Sequence, residues 1–125
     1  MIESDLLQFE VVDGITVARY SSNKPITAEV AKILVQKRKE FTQNKPCKVA
    51  IVFPNLTSID KGGRDYLSSD DAKENIEASA MVTDSVLGKV VVNFFLKLNN
   101  RRNNDIPNKV FNTEKDAIEW LKNLD

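Results

Sequence analysis

Apolar and polar positions alternate from Leu6 to Val12 and again from Ile15 to Tyr20, with Asp13-Gly14 between the two runs. Alternation of period two marks half-buried strands, and Asp-Gly between such runs is a strong hairpin signal. Lys24-Pro25-Ile26-Thr27 then ends the strand pattern, and Thr27 stands where a helix N-cap is expected, with N3 near Val30. Val30, Ile33, Leu34 and Phe41 recur at helical spacing, with Lys37 in the same register. That apolar set is expected to face a sheet, leaving Glu29, Lys32, Lys39 and Glu40 in water. The helical pattern stops before Gln43.

Cys47 to Phe53 is a nearly continuous, β-branched apolar run, the pattern of a central strand covered on at least one face. A loop, Pro54 to Asp60, leads into a short helix through Tyr66 and Leu67, followed by the polar segment Ser68–Asn75. Ile76 to Val82 alternates again as a strand, and Thr83-Asp84-Ser85 supplies capping residues for another helix. In that helix, Val86 to Leu98, a narrow polar stripe of Ser85, Lys89, Asn93 and Lys97 leaves an apolar arc about 200° wide, more than a surface helix needs. Asn99 to Asn108 reads as a polar loop and Lys109–Phe111 as a short edge strand. Thr113 caps a last helix with Asp116 at the capping-box position and Ala117, Ile118, Trp120, Leu121 and Leu124 inward. The order ββαβαβαβα predicts an α/β fold, a single domain over residues 1–125. Its mixed sheet would carry helices mainly on one face.

Composition narrows the functional classes. The 125 residues, 42% hydrophobic and 29% charged, suffice for one core. Eighteen basic residues balance eighteen acidic ones, which argues against a nucleic-acid binder. The chain has no histidine and one cysteine, so imidazole-based triads and zinc sites are excluded and no internal disulfide can form. No run approaches the roughly 20 apolar residues that cross a bilayer, and the first ten residues do not read as a signal peptide. A cytoplasmic protein without stable membrane insertion is expected.

Candidate chemistry is sparse. Gly62-Gly63, flanked by Lys61 and Arg64, lacks the spacing of a phosphate loop and reads as a tight turn. Asp60, Asp65, Asp70, Asp71 and Glu74 lack the ligand order of a calcium loop and read as solvated or capping acids. Cys47 reads as a small buried hydrophobe, with Lys45 and Lys48 nearby. Arg101 and Arg102 read as a solvated knuckle and Trp120 as core. No catalytic residue, metal or cofactor is expected. The broad apolar arc is the strongest signal. Adjacent Phe94 and Phe95 cannot both face one core layer, so part of the arc is expected to meet another subunit, a partner protein or an apolar ligand.

Three phrases carry a family resemblance. Ala78–Asn99 (ASAMVTDSVLGKVVVNFFLKLN), Val110–Leu121 (VFNTEKDAIEWL) and Val49–Asp60 (VAIVFPNLTSID) together resemble the SpoIIAA-like proteins of the STAS superfamily. That resemblance implies a mixed sheet with helices on one side and a binding module rather than a catalyst. The best-known members antagonise anti-sigma factors and are switched by phosphorylation of a serine in an Asp-Ser-Ser-Gly turn. Related domains share their topology with lipid carriers. Carried over, the motif's Asp falls on Asp60, its serines on Lys61 and Gly62, and its glycine on Gly63. Gly62 has no hydroxyl, so the switch cannot operate there.

The expected function is therefore a non-enzymatic regulatory or interaction module that binds a protein partner or a second copy of itself. The turn Ser58, Asp60, Lys61, Gly62, Gly63, Arg64 and the helix face Leu87, Val91, Phe94, Phe95, Leu98 are its candidate contacts. The alternative is a carrier or sensor of a small apolar ligand or lipid.

Overall fold

The computed structural model describes residues 7–86, 88–90, 92–93 and 106–124. Strands β1 (Leu7–Val12) and β2 (Ile15–Tyr20) pair antiparallel from Leu7 opposite Tyr20 to Val12 opposite Ile15. Asp13 and Gly14 join them with φ of 52° and 81°. Two left-handed residues in succession match the twist of the flanking strands, which is why Asp-Gly serves here. β3 (Cys47–Val52), β4 (Ile76–Val82) and β5 (Asn108–Phe111) then add in sequence order and in parallel. The result is a mixed α/β domain built on one five-stranded sheet, with β3 central and β5 at an edge as expected.

Helix α1 spans Ala28–Thr42, and the Thr27 hydroxyl accepts from the Val30 amide at 3.2 Å, the expected cap. Its inward face differs from expectation. Ala31, Val35 and Arg38 are buried and Val30 and Leu34 pack partly beside them, whereas Phe41 is exposed and stacks on Phe9 with ring centroids 5.1 Å apart. Large apolar side chains dominate the sequence pattern, but the most completely buried residue of α1 is the small Ala31. Helix α2 (Lys61–Leu67) begins at Asp60, and an unanticipated one-turn helix α3 (Asp70–Lys73) follows, capped by Ser69 and with Asp70 and Asp71 in its first turn. After β4 the chain is helical at Val86, Gly88–Val90 and Val92–Asn93, and the Ser85 hydroxyl accepts from the Gly88 amide at 3.1 Å. Helix α4 (Glu114–Lys122) carries the expected Thr113 cap, which accepts from the Asp116 amide at 3.2 Å.

Same-handed crossovers advancing in one direction along a sheet put their helices on one face. Accordingly Ala31 of α1, Tyr66 and Leu67 of α2, and Val92 all join the core around Tyr20, Phe53 and Met81. Helix α4 follows the last strand, so no crossover constrains it, and it covers the opposite face. There Ala117 and Leu121 are fully buried against Val17, Ala50, Val52, Ala80 and Val82. Alanines on β3 and β4 let this helix approach closely. Two polar ties fix it. Lys48 Nζ donates to the Leu121 and Leu124 carbonyls at 2.9 and 2.8 Å, closing the helix C-terminus. Arg19 on β2 grips Glu114 through two bonds of 2.9 and 2.8 Å and reaches Glu10 of β1 at 2.8 Å.

The loop before α2 is clipped to the segment before α1. Ile26 pairs in parallel with Ile59, its amide donating to Ser58 O and its carbonyl accepting from the Asp60 amide, both at 3.1 Å. Gly63 packs so closely on this strap that an added Cβ would lie 2.2 Å from the Ile26 oxygen, whereas one on Gly62 would meet Ala28 Cβ at 3.2 Å. Gly63→Ala is therefore expected to cost about 2–3 kcal/mol in urea unfolding, against a change within about 1 kcal/mol for Gly62→Ala.

The Glu114 carboxyl is held below its usual range by its hydrogen bonds with Arg19. A depressed folded-state value gives stability that is present above the unfolded carboxyl pKa, about 4.3, and lost as pH falls through the folded value. Wild type should thus be more stable than Glu114→Gln at pH 7, and chemical denaturation should show the gap closing as pH falls below about 4.3.

Candidate functional site

The sheet face under α1 carries a cavity of about 110 Å³. Its floor follows from register. Ala18, Ile51, Met81 and Val110 stand side by side across β2 to β5, and the first three line the cavity together with Val49 and Phe53. Leu34, Val35 and Arg38 of α1 form its roof. Leu67 at the end of α2 and Ala72 and Lys73 of α3 close one side, and Ile106 lies at the approach to β5. Apart from Arg38, Lys73, Ser79 and Tyr20, the wall is built of apolar side chains and alanine. This is the apolar character, with a few polar groups, that small-molecule sites share.

Arg38 is the exceptional wall residue. It is 6% exposed, and both Nη atoms donate to the Glu74 carbonyl at 3.2 Å, so the guanidinium closes the C-terminus of α3. The Glu74 carboxylate points elsewhere, accepting from Asn44 Nδ2 at 2.9 Å and lying 3.7 Å from Lys39 Nζ. Asp71 is committed too. It pairs with Lys39 at 2.6 Å and accepts from the Tyr66 hydroxyl. These bonds, that of Lys39 foremost, hold the Asp71 carboxyl below its usual range, while its bond to Asp71 pushes the Tyr66 phenol up to about 12. Cys47, at the start of β3, is half-buried. Burial pushes its thiol up, against the opposing influence of Arg38. A raised thiol is a poor nucleophile, in keeping with a packing role.

The turn singled out in the sequence is occupied with holding the fold. Ser58 supplies the carbonyl that accepts from Ile26. The Asp60 carboxylate accepts from the Gly63 amide at 2.8 Å, capping α2. Exposed Lys61 pairs with Asp65 at 2.9 Å, and Arg64 Nη1 donates to the Ile59 carbonyl at 2.9 Å. Gly62 is half-buried beside Ala28, and Gly63 is buried. None of the six lines the cavity. Leu87, Val91, Phe94, Phe95 and Leu98 lie outside the described residues. On the same helix Val86 and Val90, one turn apart, are 79% and 62% exposed. Of the acids weighed as cation ligands, Asp60 caps α2, Asp65, Asp71 and Glu74 lie in ion pairs, and Asp70 stands in the first turn of α3. Among the described residues no group of three or more histidine, cysteine or acidic side chains is arranged to hold a metal ion. Among them, too, no helix is long and apolar enough to cross a membrane.

Sequence reasoning missed Arg38 and the cavity itself. An arginine within an amphipathic helix reads as a wet residue. The available signal was its i+3 and i+7 spacing from Val35 and Ala31, which places it on the inward stripe.

Sheet and helices define a mixed α/β domain with an apolar pocket between α1 and the sheet. The chain belongs to the family described as a domain of unknown function, DUF7793, whose sequence model matches residues 9–125. No curated protein and no solved structure matches it.

Proposed function

We propose that this domain is a non-enzymatic binding module that takes up a small apolar molecule between α1 and the sheet. The cavity of about 110 Å³ carries this reading. An engineered apolar cavity of about 150 Å³ stays dry and binds benzene, so a space of this size and lining suits a compact apolar group. The absence of histidine, the engaged turn and the raised Cys47 thiol all favour binding over catalysis. The resemblance to SpoIIAA-like domains of the STAS superfamily fits a regulatory sensor of this kind, without a phosphoacceptor at Gly62. Toluene titrated into the protein should shift the NMR methyl resonances of Val35, Val49 and Ile51. Ala18→Leu, which extends a floor side chain into the cavity, should weaken that binding by about tenfold or more while the fold is kept. Toluene binding equally well to both proteins, or to neither, would remove the cavity from consideration.

A second reading, contact with a protein partner or a second copy of the chain, is favoured by a separate observation. Val86 and Val90 present two large apolar side chains to water on one helix face. Their replacement together by serine should change unfolding free energy by less than about 1 kcal/mol, since both are exposed. If this face is an interface, light scattering of the wild type shows self-association, or a captured partner, that the double variant loses. A wild type that is monomeric and shows no partner lost on substitution counts against it.

A further inference from the structure

Arg38 is a buried cation to which, among the described residues, no carboxylate is hydrogen-bonded; Asp71 feels its charge from a distance but is paired with Lys39. Both of its Nη atoms donate to one neutral oxygen, the Glu74 carbonyl. The Cys47 thiol interacts with Arg38, and burial pushes that thiol up, away from a thiolate. The nearby acids are turned to other cations: Asp71 and Glu74 to Lys39, which is itself largely covered. The second cation on the cavity wall is Lys73, the last residue of α3. A charge withdrawn from water costs several kcal/mol unless a counter-charge reaches it. A structural role as a tie to Glu74 needs a donor, which a neutral side chain could supply. It does not need a permanent charge against an otherwise apolar cavity.

We infer that the cavity is a site for a small organic carboxylate, with the apolar body of the ligand over Ala18, Ile51 and Met81 and its carboxylate on the Arg38 guanidinium. The inference rests on the ligand-binding reading above and names the chemical class of the ligand. The planar fork of arginine matches a carboxylate in a way a lysine point charge does not, and a charge-assisted pair in a water-poor site is strong. The volume of about 110 Å³ limits the body to the scale of an aromatic ring or a short acyl chain. Lys73 adds a second positive charge on the wall and further favours an anion over a neutral molecule of the same shape.

Benzoate and benzyl alcohol, of similar shape and different charge, provide the test by calorimetry on the whole protein at pH 7. Benzoate should bind about tenfold tighter or more. Its advantage should vanish as pH is lowered through the carboxylic acid range, about 4, where the probe loses its charge. Arg38→Met should bring the two affinities within about twofold of each other, chiefly by weakening benzoate. If that variant does not fold, the comparison and the pH series on unmodified protein decide alone. Equal affinities in wild type overturn the carboxylate assignment and leave the apolar site standing. Binding of neither probe overturns both.

Discussion

The short parallel pairing of Ile26 with Ile59 is the constraint on which the helical layer depends. It brings together the segments that lead into α1 and α2, which are separated by the whole of α1 and β3 in the chain. Each segment supplies its own cap, Thr27 to α1 and Asp60 to α2, so a single backbone strap sets where two helices begin. Gly63 then lets α2 rest directly on the Ile26 carbonyl. From that anchor α1 runs out over the sheet, small Ala31 near the strap and long Arg38 two turns further on. The helix sits close to the core at one end and bridges to α3 at the other. The cavity lies beneath that span.

The two faces of the sheet solve different packing problems. Under α4, the floor of Ala50, Ala78 and Ala80 is low, and Leu121 fills the space above it to zero exposure. Under α1, the floor of Ile51, Phe53 and Met81 is taller and the roof includes Arg38, whose guanidinium turns to the Glu74 carbonyl rather than filling the space as a leucine would. Close packing on one side and residual volume on the other arise from the same three strands. Odd and even positions of β3 and β4 point to opposite faces, so the two surfaces are specified independently within one stretch of sequence.

Much of this was legible in the residues. The Asp13-Gly14 hairpin, the central β3, the edge β5 and the caps at Thr27, Ser85 and Thr113 all follow from local chemistry that needs no distant partner. The inward stripe of α1 was not legible, because Phe41 outweighs Ala31 in any reading based on apolar size, and only the position of Phe9 on β1 explains why Phe41 can lie outside. Helix α3 was hidden in a polar segment whose Ser69-Asp70-Asp71 start is a helix signal too short to stand without tertiary support. The turn Ser58–Arg64 drew notice for its glycines and charges, which turn out to serve a strap and a cap. The cavity had no signature of its own, since a space between elements is encoded only by how far their side chains fail to meet.

The grip of Arg19 on Glu114 has a bearing on the order in which the fold can be completed. It joins the second strand to the last helix, 95 residues apart. Without α4, the sheet face that carries Ile15, Val17, Val52 and Val82 would have no helix over it. Any state in which this helix is undocked would expose an apolar surface open to association with its neighbours. A bidentate, charge-assisted contact waiting on β2 favours correct docking of the late helix over those competitors.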